Sequence, residues 1–106
     1  MIIEKNGFIH HVYFWLKNPE SHSDLEQLID GLVKLSKVKT IQQFHMGQPA
    51  ATRRDVIESG YSVSWLLLFK NKEYQDSYQV DPIHLKFVEE CAHLWSKVVV
   101  YDTVDI

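Results

Sequence analysis

Residues 7–17, from Gly7 to Lys17, read as a β-strand that is apolar on both of its faces. Successive side chains on a strand point to opposite sides, so Phe8, His10, Val12, Phe14 and Leu16 share one face and Ile9, His11, Tyr13 and Trp15 the other. Such a strand must be covered from both sides, which excludes a sheet left half in water. The same two-sided pattern returns in Tyr61–Lys70. There Tyr61, Val63, Trp65, Leu67 and Phe69 alternate with Ser62, Ser64, Leu66 and Leu68.

Between these strands, Ser23-Asp-Leu-Glu26 fits a capping box that opens a helix. Leu25, Leu28, Ile29, Leu32 and Leu35 recur at helical spacing and give that helix one buried stripe. Gly31 lies inside it, at a cost of about 1 kcal/mol relative to alanine. Thr40–Gly47 reads as a second strand. Its Gln42, Gln43 and His45 make it the least apolar, which places it at a sheet edge. A long connection, Gln48–Ser59, carries Arg53 and Arg54. Asn71 caps a short helical segment to about Tyr78, and Asp81 and Pro82 suit the N-cap and first position of another helix. His84, Phe87, Val88, Cys91 and Trp95 form its stripe. Lys97–Val104 is the fourth strand.

The order β-α-β-β-α-β is the ferredoxin-like pattern, an α+β fold with a four-stranded antiparallel sheet and both helices on one face. The whole chain, residues 1–106, is expected to be one domain. The helices leave the second sheet face bare, with Tyr13, Trp15, Leu66 and Leu68 on it. A second copy covers such a face most economically, so two sheets are expected to pair as a homodimer. A peptide or lipid partner is the competing cover.

Composition narrows the partners. The net charge of −3 offers no basic field for a phosphate backbone, so nucleic acid is not expected. The apolar run Phe8–Leu16 is interrupted by His10 and His11 and is too short to span a bilayer. No small-residue cleavage site follows it. Cys91 is the only cysteine, which leaves no internal disulfide and no CxxC site and suits a reducing, cytoplasmic setting. The six histidines show no HxH, HxxxH or HExxH spacing, so a metal is not expected. His10 and His11 point to opposite faces and cannot chelate one ion together. His93, about half a turn out of phase with His84, should be exposed.

The segment from Asn71 to Phe87 concentrates the chemistry. His84 falls in the first turn of its helix, among unsatisfied N–H groups at the positive end of the macrodipole. That field disfavours imidazolium, so a neutral His84 can act as base and the Tyr78 hydroxyl as hydrogen-bond donor to a developing oxyanion. The plainer reading is a histidine that only packs against Tyr78 and a strand. His10 has the same two readings, and a histidine on an apolar strand face is more often a satisfied core group. Phe14, Val63, Trp65 and Phe87 would line a cavity for a small organic ligand, or simply fill the interior. Arg53 and Arg54 can clamp a carboxylate, though paired loop arginines are more often just solvated.

The opening strand Ile9–Lys17, Gly47 ending strand two, Gly60-Tyr61 entering strand three, Tyr78 with Pro82-x-His84, and Tyr101-Asp102 together resemble the stress-responsive α/β-barrel domain (Dabb) family over nearly the whole chain. The resemblance implies a ferredoxin-like protomer paired into a dimeric α/β barrel. It implies no single function. Some members are stable stress-associated proteins without an established reaction, and others are cofactor-independent cyclases such as olivetolic acid cyclase. Residue by residue, the cyclase tyrosine and helix histidine match Tyr78 and His84. The first-strand histidine matches His10, which places it on the helix side. The third-strand histidine matches Val63, so that group is missing here. Dimeric monooxygenases of the same general fold offer a further enzymatic alternative.

Overall fold

The computed structural model describes residues 5–106. Four strands, β1 (Phe8–Leu16), β2 (Ile41–Gly47), β3 (Val63–Phe69) and β4 (Trp95–Val104), form one antiparallel sheet in the order β2-β3-β1-β4. Helices α1 (His22–Leu35), α2 (Lys72–Val80) and α3 (Pro82–Cys91) accompany it, and a 3-10 turn, Ala92–Leu94, links α3 to β4. The architecture is the expected ferredoxin-like one, with β2 at an edge.

β1 alternates buried and half-buried positions along its whole length. Its inward side chains Phe8, Val12, Phe14 and Leu16 join Val63, Trp65, Leu67 and Phe69 of β3 and Leu28, Leu32 and Leu35 of α1 in one core. The opposite face carries Ile9, His11, Tyr13, Trp15, Leu66 and Leu68, all half-buried.

Local details differ from the sequence expectations. The α1 cap is Ser21, whose hydroxyl accepts the Asp24 N–H at 3.2 Å, so the capping pair sits two residues before the expected Ser23 and Glu26. Gly31 has a packing reason: a Cβ there would lie 2.6 Å from Cys91 Sγ and 3.2 Å from the Phe87 ring. The α1–α3 crossing needs the missing side chain, which offsets its helical cost. β3 starts at Val63, and Tyr61 lies before the strand. Its ring packs at 4.9 Å from Tyr13 and 6.3 Å from Trp15, so it joins the face opposite the one its alternation suggested. Trp95 opens β4 and does not continue α3; Leu94 is the buried residue of the intervening turn. Its carbonyl accepts the Lys17 N–H at 2.9 Å and ties that turn to the end of β1.

The corner between α2 and α3 positions the site. Asn71 caps α2 by accepting the Tyr74 N–H at 3.0 Å. Asp81 then serves both helices. Its backbone N–H donates to the Tyr78 carbonyl at 3.2 Å, and its carboxylate accepts the Ile83 N–H at 2.8 Å. Pro82 takes the first helical position. One residue thus ends α2, starts α3 and brings Tyr78 and His84 side by side. Asp81→Ala is expected to lower stability by about 1 kcal/mol. The urea midpoint should fall at constant slope, and an unchanged midpoint would show that the cap contributes nothing.

Candidate functional site

Tyr78 and His84 meet across this corner, with ring centroids 4.7 Å apart. The His10 ring stands edge-on to Tyr78 at 5.8 Å. All three line one cavity of about 150 Å³ between the sheet and helices α2 and α3. Phe14, Trp65 and Phe87 line it as the sequence suggested, together with Trp95, Val98 and Val100 of β4. Val63 does not. The cavity lies over β1 and β4, whereas Val63 pairs with Phe14 from the β3 side and borders a separate hollow with Leu25, Ile29 and Met46. The volume also falls short of the few hundred Å³ typical of ligand pockets.

The polar groups have defined roles. Tyr78 is almost fully buried, and its hydroxyl accepts the Trp65 indole N–H at 3.4 Å. An indole N–H can only donate, so the phenol proton is left to point elsewhere, and it has no acceptor among the described residues. Burial pushes the Tyr78 phenol up to about 12, against a smaller downward effect of the Trp65 bond. The group is therefore a neutral donor, not a base.

His84 Nδ1 lies 3.1 Å from the Gln79 carbonyl oxygen, one of the orphan acceptors at the end of α2. A carbonyl only accepts, so Nδ1 carries the proton and Nε2 keeps its lone pair in the neutral ring. Burial is the main force holding the imidazole below its ordinary value; the Gln79 bond opposes it, His10 reinforces it and Asp81 opposes it. His84 favours the neutral form chiefly because it is desolvated.

His10 is buried on the helix side, and its Nδ1 lies 2.6 Å from Asp102 Oδ1. The two residues are direct cross-strand partners in the β1–β4 register. Asp102 entered the sequence reading only as part of a resemblance. A sequence does not carry strand register, so nothing there paired it with His10. His11 faces the other way and stacks on Tyr13 at 4.4 Å. Arg53 and Arg54 are exposed in their loop and do not line the cavity. His93 is exposed in the 3-10 turn. No group of three or more His, Cys, Asp or Glu side chains converges on one point among the described residues. No helix among them is long and apolar enough to cross a membrane.

The family model described as "Stress responsive A/B Barrel Domain" matches residues 8–105. No curated protein matches the chain. Solved structures share the fold. A Dabb family protein from Mesorhizobium loti with a ferredoxin-like fold is 20% identical over 94% of this chain and 97% of its own, with a TM-score of 0.78. A dimeric ferredoxin-like protein of unknown function from Thermobifida fusca is 16% identical over 99% and 96%, with a TM-score of 0.79. The hydroxynitrile lyase from Passiflora edulis is 16% identical over 97% and 96%, with a TM-score of 0.81. At these identities the likeness speaks for the fold alone.

Proposed function

The chain belongs to the stress-responsive α/β-barrel domain family, and on that premise we propose that it is a homodimer whose protomers each hold a small-molecule site at Tyr78 and His84. The site transfers a proton next to a carbonyl without a cofactor. The observation that carries this reading is the complementary pair at one cavity: a phenol with an unused proton and an imidazole with an unused lone pair. The dimer rests on the half-buried apolar face of the sheet and on structural neighbours described as dimeric.

Volume sets the substrate class. A cavity of about 150 Å³ is the size that takes benzene. It suits a compact neutral aryl or alkyl carbonyl compound and not a whole polyketide chain of the cyclase type. Half-exposed His84 and exposed Val88 and Val100 form its open side, where a substituent can protrude. In the reaction, the carbonyl oxygen accepts the Tyr78 O–H. Nε2 of His84 removes a proton from the neighbouring carbon, the C–H electron pair becomes a C=C bond, and the former carbonyl electrons move to oxygen. Return of the proton to another carbon gives an isomer, and attack of the enolate carbon on a second carbonyl gives a new C–C bond. A hydroxynitrile lyase is among the proteins that share this fold.

Acetophenone and phenylacetaldehyde in deuterated water test this directly. Loss of the proton signal beside the carbonyl should run faster with the protein than with buffer alone, and the acceleration should vanish in His84→Ala. A second reading, a stable stress-associated dimer with a filled interior, draws support from the small cavity and from the Trp65–Tyr78 bond. It predicts no acceleration and a lowered melting temperature in the same variant.

A further inference from the structure

We infer that Asp102 is a positioning residue that fixes the tautomer of His10 and makes that ring the second proton-transfer group of the cavity, connected to solvent through the carboxylate. The inference rests on the reading of the Tyr78–His84 site given above. It starts from a contrast in burial across one short contact. The His10 side chain is 8% exposed and the Asp102 side chain 45% exposed, yet their Nδ1 and Oδ1 atoms are 2.6 Å apart. A buried polar ring is thus joined directly to a group that water reaches.

The chemistry follows from what each atom can do. A carboxylate only accepts, so the His10 Nδ1–H donates to it, and in the neutral ring Nε2 retains the lone pair. His84 reaches the same state by a different route, through the Gln79 carbonyl. Two imidazoles therefore flank Tyr78 with Nδ1 engaged and Nε2 free. The other titratable groups near them are Asp81 at the head of α3 and His11 on the far side of β1, while β3 contributes only the Trp65 and Phe69 rings. Among the described residues, Asp102 is the one carboxylate bonded to either ring.

A proton delivered to His10 Nε2 is balanced by transfer of the Nδ1 proton to Asp102 Oδ1 and then to water. The ring returns to the tautomer with a free Nε2 after a flip or after the reverse exchange. Such a path gives the buried side of the cavity its own exchange with water, beside that of half-exposed His84 on the open side. The fixed cross-strand register of β1 and β4 supplies it at no cost in mobile chain.

The test uses Asp102→Asn beside wild type. In wild type, ¹⁵N spectra of His10 should show a single neutral tautomer with Nδ1 protonated. In Asp102→Asn, whose amide can donate as well as accept, the two tautomers should mix. Exchange of the acetophenone methyl protons should fall about 10- to 100-fold, and added imidazole buffer should restore much of it, which a purely structural role would not allow. Asp102→Glu should retain the single tautomer. An unchanged His10 tautomer in Asp102→Asn, or a loss of exchange that buffer does not restore, overturns the inference. Wild-type protein inert toward acetophenone defeats the proposed reaction instead, and the tautomer spectra then decide alone whether Asp102 governs His10.

Discussion

Leu66→Glu is expected to convert the protein from a dimer into monomers or to unfold it, the largest effect of any single change considered for this chain. Leu66 sits at the middle of the uncovered sheet face, paired across the strands with His11 on one side and His45 on the other. Ile9, Tyr13, Trp15 and Leu68 share that face and remain half-buried in the protomer alone. If two such faces meet, a glutamate at their centre is desolvated, while Lys97 on this face is held over the Trp15 ring, four residues along β1 from the His11 that Leu66 pairs with. Burial, with His45 and His10 adding to it, holds the His11 imidazole below its ordinary value, so that neighbour stays neutral near pH 7. An unpaired charge buried in this way costs several kcal/mol. Light scattering at micromolar concentration should give a dimer mass for wild type and a monomer or unfolded chain for the variant. A wild-type monomer, or a Leu66→Glu dimer of unchanged melting temperature, would show that this face is not the interface.

The second large effect belongs to the cavity. Removal of the base in His84→Ala should slow proton exchange of a bound carbonyl compound by about 100-fold or more. Tyr78→Phe removes the donor to the oxyanion and should cost on the order of 100-fold. It also leaves the buried Trp65 N–H without its acceptor, at about 1–3 kcal/mol of stability, while the ring stays in the core. The pH profile supplies a sign that a packing role would not. His84 is lowered from 6.5, so the neutral base persists below that pH and activity is lost only on further acidification. Stability moves in the same direction. A histidine depressed in the folded state binds more protons when unfolded, so stability is full above about 6.5 and falls as pH drops towards the folded value. His84→Ala should flatten that acid limb, and an unchanged limb would show that His84 does not titrate as the structure implies.

The fold was legible because it depends on periodicity. Two-faced apolar alternation in β1 and β3 fixed the sheet and its need for a second cover, and the polar residues of β2 marked an edge. Asn71, Asp81 and Pro82 were readable because capping is local chemistry between residues two or three apart. What failed was non-local. Asp102 stands 92 positions from His10, and only the β1–β4 register brings them together. Val63 alternates correctly yet misses the cavity, because alternation gives a face and not a position across the sheet. Gly31 looked like a defect in α1 until the Cys91 and Phe87 side chains of α3 were seen against it. Tyr61 joins the opposite face because a strand pattern does not show where pairing begins, and β3 starts only at Val63.

If Tyr78, His84 and His10 form one ligand site, a ligand must reach all three side chains at once. Titration of acetophenone into protein whose histidine rings are isotope-labelled tests it most directly. Saturable shifts of the His84 and His10 ring signals are expected, with His22 and His93, both exposed and away from the cavity, unmoved. Tyr78→Phe should also weaken the binding. Shifts spread over all six histidines, or no saturable shift at His84 and His10 with this or other compact aryl carbonyl compounds, would contradict a single shared site.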